Sequence, residues 1–239
     1  MSAPVQSGVL DEEAKALLRR IVERTAYRQI MVANIRGHGL KYLLDVAEKS
    51  LLVRDLEAGL DVLRHVERLY GELDGDGLAL SVRDAMDRIP YPYSRLELAV
   101  CLTLVDRAER LVSSAYLESK SLGMAAFARR IHDLERPGTR MLEVQLADFC
   151  TEPGNRPAAQ QFVNRWIAIA LVAFGRPGTA GDQRSSALGL RSARVDELVR
   201  RFVAEVRPWC ESYHLALPDV TTLGIDLAPE GVKHVARKA

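Results

Sequence analysis

The stretch from 94 to 148 combines two amphipathic helical patterns with acidic residues on or beside their apolar faces. Over 96–116, apolar residues recur at steps of three and four, which predicts a helix with one apolar stripe. Asp106 lies on or beside that stripe, and Glu135 ends the second helical pattern. A carboxylate on the inner face of a helix is costly unless it has a partner or a role. We therefore interpret Asp106 and Glu135 as the start of a functional site.

Helical periodicity continues along most of the chain, and no segment shows the alternation that is typical of a strand. The patterns cover about 11–33, 40–46, 54–73, 78–86, 124–135, 141–149, 158–174 and 195–211. Long helices with short links predict an all-α protein that folds as an antiparallel bundle. We treat residues 1–239 as one domain with a flexible lead (1–10), a mobile loop (175–187) and an irregular C-terminal tail (218–239).

Composition excludes several classes of protein. The formal net charge of +1 gives no support for a nucleic-acid-binding protein. The longest apolar run, 166–174, is too short to span a bilayer, so we expect no membrane segment. Cys101, Cys150 and Cys210 have no metal-ligand or pairing pattern, which indicates reduced, buried thiols. These features predict a cytoplasmic protein.

A third acid, Glu57, lies beside the apolar stripe of the 54–73 pattern. In a ferritin-like bundle, a di-iron site takes one carboxylate from each of two helices and a Glu-x-x-His from each of the other two. Here Glu57 is followed at plus three by Leu60, and Glu135 by Gly138. The spacing matches a di-iron layout from which both imidazoles have been removed.

Two segments are more specific than these acids. Residues 162–166 read Phe-Val-Asn-Arg-Trp, and residues 174–177 read Phe-Gly-Arg-Pro. The other segments that occur in the same order are 55–59, 91–92, 104–106, 130–131, 196–203 and 217–219. Together they resemble the catalytic subunit of the multicomponent phenylacetyl-CoA epoxidase, a family of ferritin-like di-iron oxygenases. The resemblance covers roughly 50–220 and implies a ferritin-like bundle with additional C-terminal helices.

The resemblance implies that Glu57 and Glu135 would each open a Glu-x-x-His motif, with Asp106 as a third ligand. The two histidines are replaced by Leu60 and Gly138. Three carboxylates without imidazole hold iron poorly, so we expect no metal and no cofactor. Iron in an unusual carboxylate-rich site is the alternative.

Basic and aromatic residues on the same helical patterns are candidates for substrate binding. These candidates are Tyr27, Arg28, Arg64, His65 and Arg110. An arginine can hold an anionic group, although solvation at the surface is the other interpretation. Tyr27 is nearest to the ligand position of the first helix, with Glu23 one turn earlier as the alternative. His65 points either into the bundle or to its edge.

One metal-free offshoot of the resembled family fits this pattern, the aziridine-forming enzyme of azinomycin-type biosynthesis. The resemblance implies a metal-independent enzyme in which an amine displaces a sulfate leaving group within one substrate. Asp106, Glu135 or Glu57 would be the general base, and an arginine would receive the sulfate. We expect a homodimer that acts on a small molecule, free or tethered to an acidic amino-group carrier protein.

Two alternatives stay open at this point. The protein could be a di-iron oxygenase similar to phenylacetyl-CoA epoxidase, or a non-catalytic partner subunit of such a complex. In a non-catalytic subunit, the acids would be locked in salt bridges.

Overall fold

The computed structural model describes residues 11–86 and 89–219, with only the backbone described for 84–86. Within these residues every regular element is helical, which confirms the all-α prediction. The α-helices are α1 (Glu12–Gly39), α2 (Val46–Glu72), α3 (Leu78–Met86), α4 (Arg95–Ser114), α5 (Leu122–Asp133), α6 (Pro137–Thr151), α7 (Arg156–Val172), α8 (Ala180–Ala187) and α9 (Val195–Ser212). Short 3₁₀ turns cover Leu40–Tyr42 and Pro153–Asn155. The predicted lead (1–10) and most of the predicted tail (220–239) lie outside the described residues.

Helices α1 and α2 pack against each other in antiparallel orientation. The Tyr70 hydroxyl donates to Glu23 Oε1 at 2.8 Å, which joins the end of α2 to the first half of α1. At the other end of the pair, an added Cβ at Gly59 would lie 3.8 Å from Arg36 Nη1. Sequence numbers therefore rise along α1 as they fall along the adjacent part of α2.

Helix α6 is antiparallel to α2. Gln145 Nε2 donates to Glu48 Oε1 at 2.7 Å, and the Thr139 backbone N–H donates to Asp55 Oδ2 at 2.8 Å. The start of α6 thus faces the middle of α2, and the later turns of α6 face the start of α2.

Helix α4 completes a four-helix bundle. It is antiparallel to α1, because Gln29 bonds to Glu109 and Arg36 bonds to Asp106. Helices α2 and α4 are consequently parallel to each other on opposite corners. Their connection, 73–94, must return along the length of the bundle, and it carries α3, which packs on α1. The predicted antiparallel bundle is confirmed with one long crossover.

The C-terminal helices α7 and α9 pack on α4, which is therefore buried on most sides. Glu97, in the first turn of α4, is 1% exposed and accepts from three donors. These donors are the Tyr93 backbone N–H, Arg165 and the Trp166 indole at 3.0 Å. The Asn-Arg-Trp segment thus joins α7 to α4 through one buried carboxylate.

The predicted mobile loop at 175–187 is wrong in part, because α8 forms there. Thr179 caps α8 by accepting from the Asp182 backbone N–H at 3.2 Å. The buried Asp182 carboxylate accepts from Gly178 N and Val195 N and pairs with Arg191. These contacts anchor a polar segment whose composition alone suggested mobility.

Among the helices that the structure describes, none is long and apolar enough to cross a bilayer.

Gly138 sets how closely α6 approaches α2. A Cβ at this position would lie 2.7 Å from Leu52 Cα and 2.9 Å from Asp55 Oδ2. Leu52 presents backbone atoms, which cannot move aside as a flexible side chain can. Only glycine fits at this crossing.

We predict that Gly138→Ala lowers the free energy of unfolding by about 2–3 kcal/mol, because the added methyl group overpacks the crossing. Urea denaturation with circular dichroism measures the change. Gly71→Ala on α2 is the matched control, since a Cβ there meets nothing within 4 Å. The control should be stabilising or neutral. Equal effects of the two substitutions would contradict the close approach.

Candidate functional site

Three carboxylates from two opposite corners of the bundle, α2 and α4, are buried in its interior. Asp55 on α2 is 0% exposed and Glu109 on α4 is 5% exposed. The side chain of Asp106, one turn before Glu109, is 10% exposed. The interior acids predicted from the sequence therefore exist, but only Asp106 is among those predicted by number.

Asp106 is held by two arginines and a threonine. Arg36 Nη2 donates to both carboxylate oxygens, at 2.6 and 2.8 Å, and Thr139 Oγ1 donates to Oδ2 at 2.6 Å. Arg136 Nε lies 3.6 Å from Oδ2. Burial opposes ionisation, but Arg36 and Arg136 outweigh it and hold the pKa of Asp106 below its ordinary value. A carboxylate with a lowered pKa is a weaker proton acceptor than an ordinary one.

Asp55 serves as the N-terminal cap of α6 from another helix. Its oxygens accept from the Gly138 backbone N–H at 3.1 Å and the Thr139 backbone N–H at 2.8 Å. The residue at the N-cap position of α6, Arg136, makes no side-chain capping bond. Carboxylates stabilise helix N-termini because they satisfy free N–H groups and face the positive end of the helix dipole. Burial nevertheless raises the pKa of Asp55, and the nearby Arg36 reduces that rise only in part.

Glu109 links Arg136 to Gln29. Arg136 Nη2 donates to Glu109 Oε2 at 2.6 Å, and Gln29 Nε2 donates to Oε1. We call the set formed by Gln29, Arg36, Asp55, Asp106, Glu109, Arg136 and Thr139 the interior ion-pair network. It joins all four bundle helices. Because the network contains two guanidinium groups and three carboxylates, its formal charge is −1.

Glu57 and Glu135 lie outside this network, and their predicted interior position is wrong. Both residues are exposed. Helix α5 ends at Asp133, so Glu135 stands in the link before α6, whereas Arg136 turns inward. On α2 the acid that faces inward is Asp55, two residues and therefore about 200° around the helix from Glu57.

Two of the predicted substrate-binding arginines are on the surface. Arg64 is exposed and pairs with Asp61 in the preceding turn. Arg110 is 51% exposed and bonds to Glu205 at 3.2 Å. Neither reaches the interior ion-pair network, and the surface interpretation holds for both.

His65 lies at the edge of the bundle. Its Nε2 is 3.3 Å from the carbonyl oxygen of Gly123 at the start of α5. This position matches the second of the two interpretations of His65 and separates the imidazole from the buried acids.

Tyr27 and Arg28 lie on α1, where they are half-buried. Tyr27 packs against the hydrophobic core. Arg28 donates to the Ala173 carbonyl at 3.1 Å and to Thr25 Oγ1 at 3.0 Å. Burial lowers the pKa of Arg28, and within the described chain no carboxylate lies at ion-pair distance from it. The hydrogen-bond partners of Arg28 are thus neutral, while Glu109 attracts its guanidinium from beyond ion-pair distance.

The residues present do not fit a di-iron cluster. Guanidinium groups of Arg36 and Arg136 lie between the acids, where a cation would be repelled. A histidine at Gly138 would collide with α2, as the contact with Leu52 shows. In the part of the chain that the structure describes, no three His, Cys, Asp or Glu side chains come together as metal ligands.

Most residues of the interior ion-pair network were not predicted from the sequence. Asp55 could have been found, because it shares an i, i+4, i+7 stripe with the buried Gly59 and Val62. Arg36 and Arg136 gave no such signal, since arginines next to glycine and proline are typical of helix ends at the surface.

Comparisons with protein-family models and with curated proteins find no match to this chain.

We predict that Asp106→Leu lowers the free energy of unfolding by about 3–5 kcal/mol, because it leaves Arg36 buried without its counterion. The double variant Arg36→Met with Asp106→Leu should recover most of this loss. Asp61→Leu, which breaks the exposed pair with Arg64, should change stability by less than about 0.5 kcal/mol. Urea denaturation of the four proteins gives the values. A double variant no more stable than Asp106→Leu would contradict the pairing.

The lowered pKa of Asp106 predicts a specific dependence of stability on pH. An acid whose pKa is lower in the folded state stabilises the fold above its unfolded pKa of about 3.9 and loses that contribution as pH falls. The stability difference between wild type and Asp106→Asn should therefore shrink as pH falls below about 4. The contribution of Asp55 to stability depends on pH in the opposite direction. Its pKa is raised in the folded state, so its ionisation destabilises the fold as pH rises. The stability difference between wild type and Asp55→Asn should therefore not shrink in the same way as pH falls below about 4.

Proposed function

We propose that this chain is a ferritin-like protein that works without a metal, with Arg36 and Arg136 in place of the metal ions. The topology supports the ferritin-like part, since α1 and α2 pair before one long crossover and α4 and α6 complete the bundle. In ferritin-like folds, one long crossover joins two such helix pairs. The family resemblance of 50–220 supports the same proposal.

The function that the site supports best is that of a non-catalytic partner subunit in an epoxidase-like complex. The observation that carries this proposal is that each interior acid is held by at least two donors. Asp106 is held by Arg36 and Thr139, and Asp55 by two backbone N–H groups. A carboxylate fixed in this way has few free lone pairs with which to take a proton from a substrate. The acids then serve to hold four helices together.

A second candidate is the metal-independent enzyme that closes an aziridine ring by displacement of sulfate. Arg28 is the observation that favours it, because a half-buried guanidinium with neutral partners can receive an anionic leaving group. Among the interior acids, Asp55 is the better base, since burial raises its pKa. The small-molecule substrate, the acidic carrier protein and the homodimer belong to this candidate as predictions.

Complementation separates the two candidates. A strain of the source organism that lacks the gene is supplied with Asp55→Asn, which removes the candidate base but keeps a side-chain oxygen that can accept from the backbone N–H groups of α6. If the protein is a partner subunit, the variant should restore the lost metabolite to within about twofold of wild type. A variant that accumulates and melts like wild type but does not restore the metabolite would indicate that an interior acid takes part in catalysis.

The enzyme candidate makes its own prediction. Arg28→Met should lower ring closure of a sulfate-ester amine by about 100-fold, in line with loss of one electrostatic contact to the leaving group. Arg110→Met is the matched control, because Arg110 is exposed and pairs with Glu205. Equal activities of the two variants would contradict a role for Arg28.

Elemental analysis tests the metal-free proposal itself. We expect well under one iron atom per chain in protein purified without chelator. Two iron atoms per chain would restore the oxygenase alternative.

A further inference from the structure

A groove on the outer side of the α1–α2 pair has the features of a small-molecule site that is separate from the interior ion-pair network. It is an open surface groove with a volume of about 470 Å³. The residues that line it are Ala33, Asn34, Gly37, His38, Leu56, Leu60 and Tyr91. The site lies where the crossover segment passes over α1.

The apolar part of the groove is one helical turn long. Ala33 and Gly37 are four residues apart on α1, and Leu56 and Leu60 are four residues apart on α2. Two facing i, i+4 pairs make apolar walls about 6 Å in length. Leu60 remains 37% exposed although it is a large apolar residue. An apolar body of about four or five carbon atoms matches this length.

Polar groups gather at one end of the groove. His38 packs on the Tyr91 ring, with ring centroids 4.7 Å apart, and its Nε2 lies 3.4 Å from the Tyr42 hydroxyl. Within the described residues, no group bonds to His38 Nδ1 or to the Asn34 amide. Lys41 is not among the residues that line the groove, and its Nζ lies 4.9 Å from the centroid of the Tyr42 ring. Two unused hydrogen-bonding groups and a nearby ammonium suit a negatively charged head group.

We infer that this groove binds a short-chain organic acid, with its hydrocarbon part between α1 and α2 and its carboxylate at His38 and Asn34, which line the groove. This inference is independent of the proposed function, because it uses no residue of the interior ion-pair network. A ligand of this size in an open groove should bind with a Kd on the order of 1 mM.

The probe is hexanoate, titrated into the full-length protein and followed by ¹H–¹⁵N NMR. Hexan-1-ol has the same chain without the charge, and it tests whether the head group matters. We expect saturable shifts of amides around His38 with hexanoate and at least threefold weaker binding of hexan-1-ol. Lys41→Gln should weaken hexanoate two- to fivefold, as for a single exposed charge.

Gly37→Leu fills the groove, since a Cβ at this position meets nothing within 4 Å. It should weaken hexanoate binding more than tenfold. Gly71→Leu is the matched control, because this helical glycine is equally open but lies at the far end of α2. It should change the Kd less than twofold.

Three outcomes would overturn the inference. They are no saturable binding of hexanoate to wild type, equal binding of hexanoate and hexan-1-ol, and unchanged binding to Gly37→Leu in a protein whose melting temperature matches that of Gly71→Leu. None of these outcomes bears on metal content or on complementation, so the failure of this site would leave the proposed function untouched.

Discussion

The arrangement of the surrounding helices depends on the positive charge of Arg36, which is buried in the middle of the bundle. Its side chain is 1% exposed, and a buried guanidinium is tolerated only with a well-placed counterion. Asp106 provides that counterion with both oxygens, and Thr139 orients Asp106 from α6. Through these contacts, the rotation of α1, α4 and α6 about their axes is fixed by charge as well as by apolar packing.

The two arginines also explain why neighbouring acids behave differently. Asp106 lies directly against Arg36, so its anion is favoured despite burial, whereas Asp55 contacts mainly backbone N–H groups and its pKa is raised. Guanidinium groups remain charged at any physiological pH. The two arginines therefore balance most of the charge of the interior acids, which is consistent with the proposed structural role for these acids.

The sequence predicts the helices well because apolar periodicity is a local signal. It does not predict which acid points inward, since a shift of two residues, from Asp55 to Glu57, turns a side chain to the opposite side of a helix. Glu135 was misplaced for another reason: α5 stops at Asp133, and Leu134 has extended backbone with φ −68° and ψ 119°. The helix in 175–187 was missed because Asp182 anchors it through contacts distant in sequence.

The cap that Asp55 gives to α6 has a consequence for the order of folding. Pro137 is well placed at the first position of α6, but Gly138 weakens the first turn, and the helix's own N-cap residue contributes no bond. Its first amide groups are satisfied only when α2 is already in place. We therefore expect the start of α6 to become stable only after α2 has formed, since the cap of this helix comes from its neighbour.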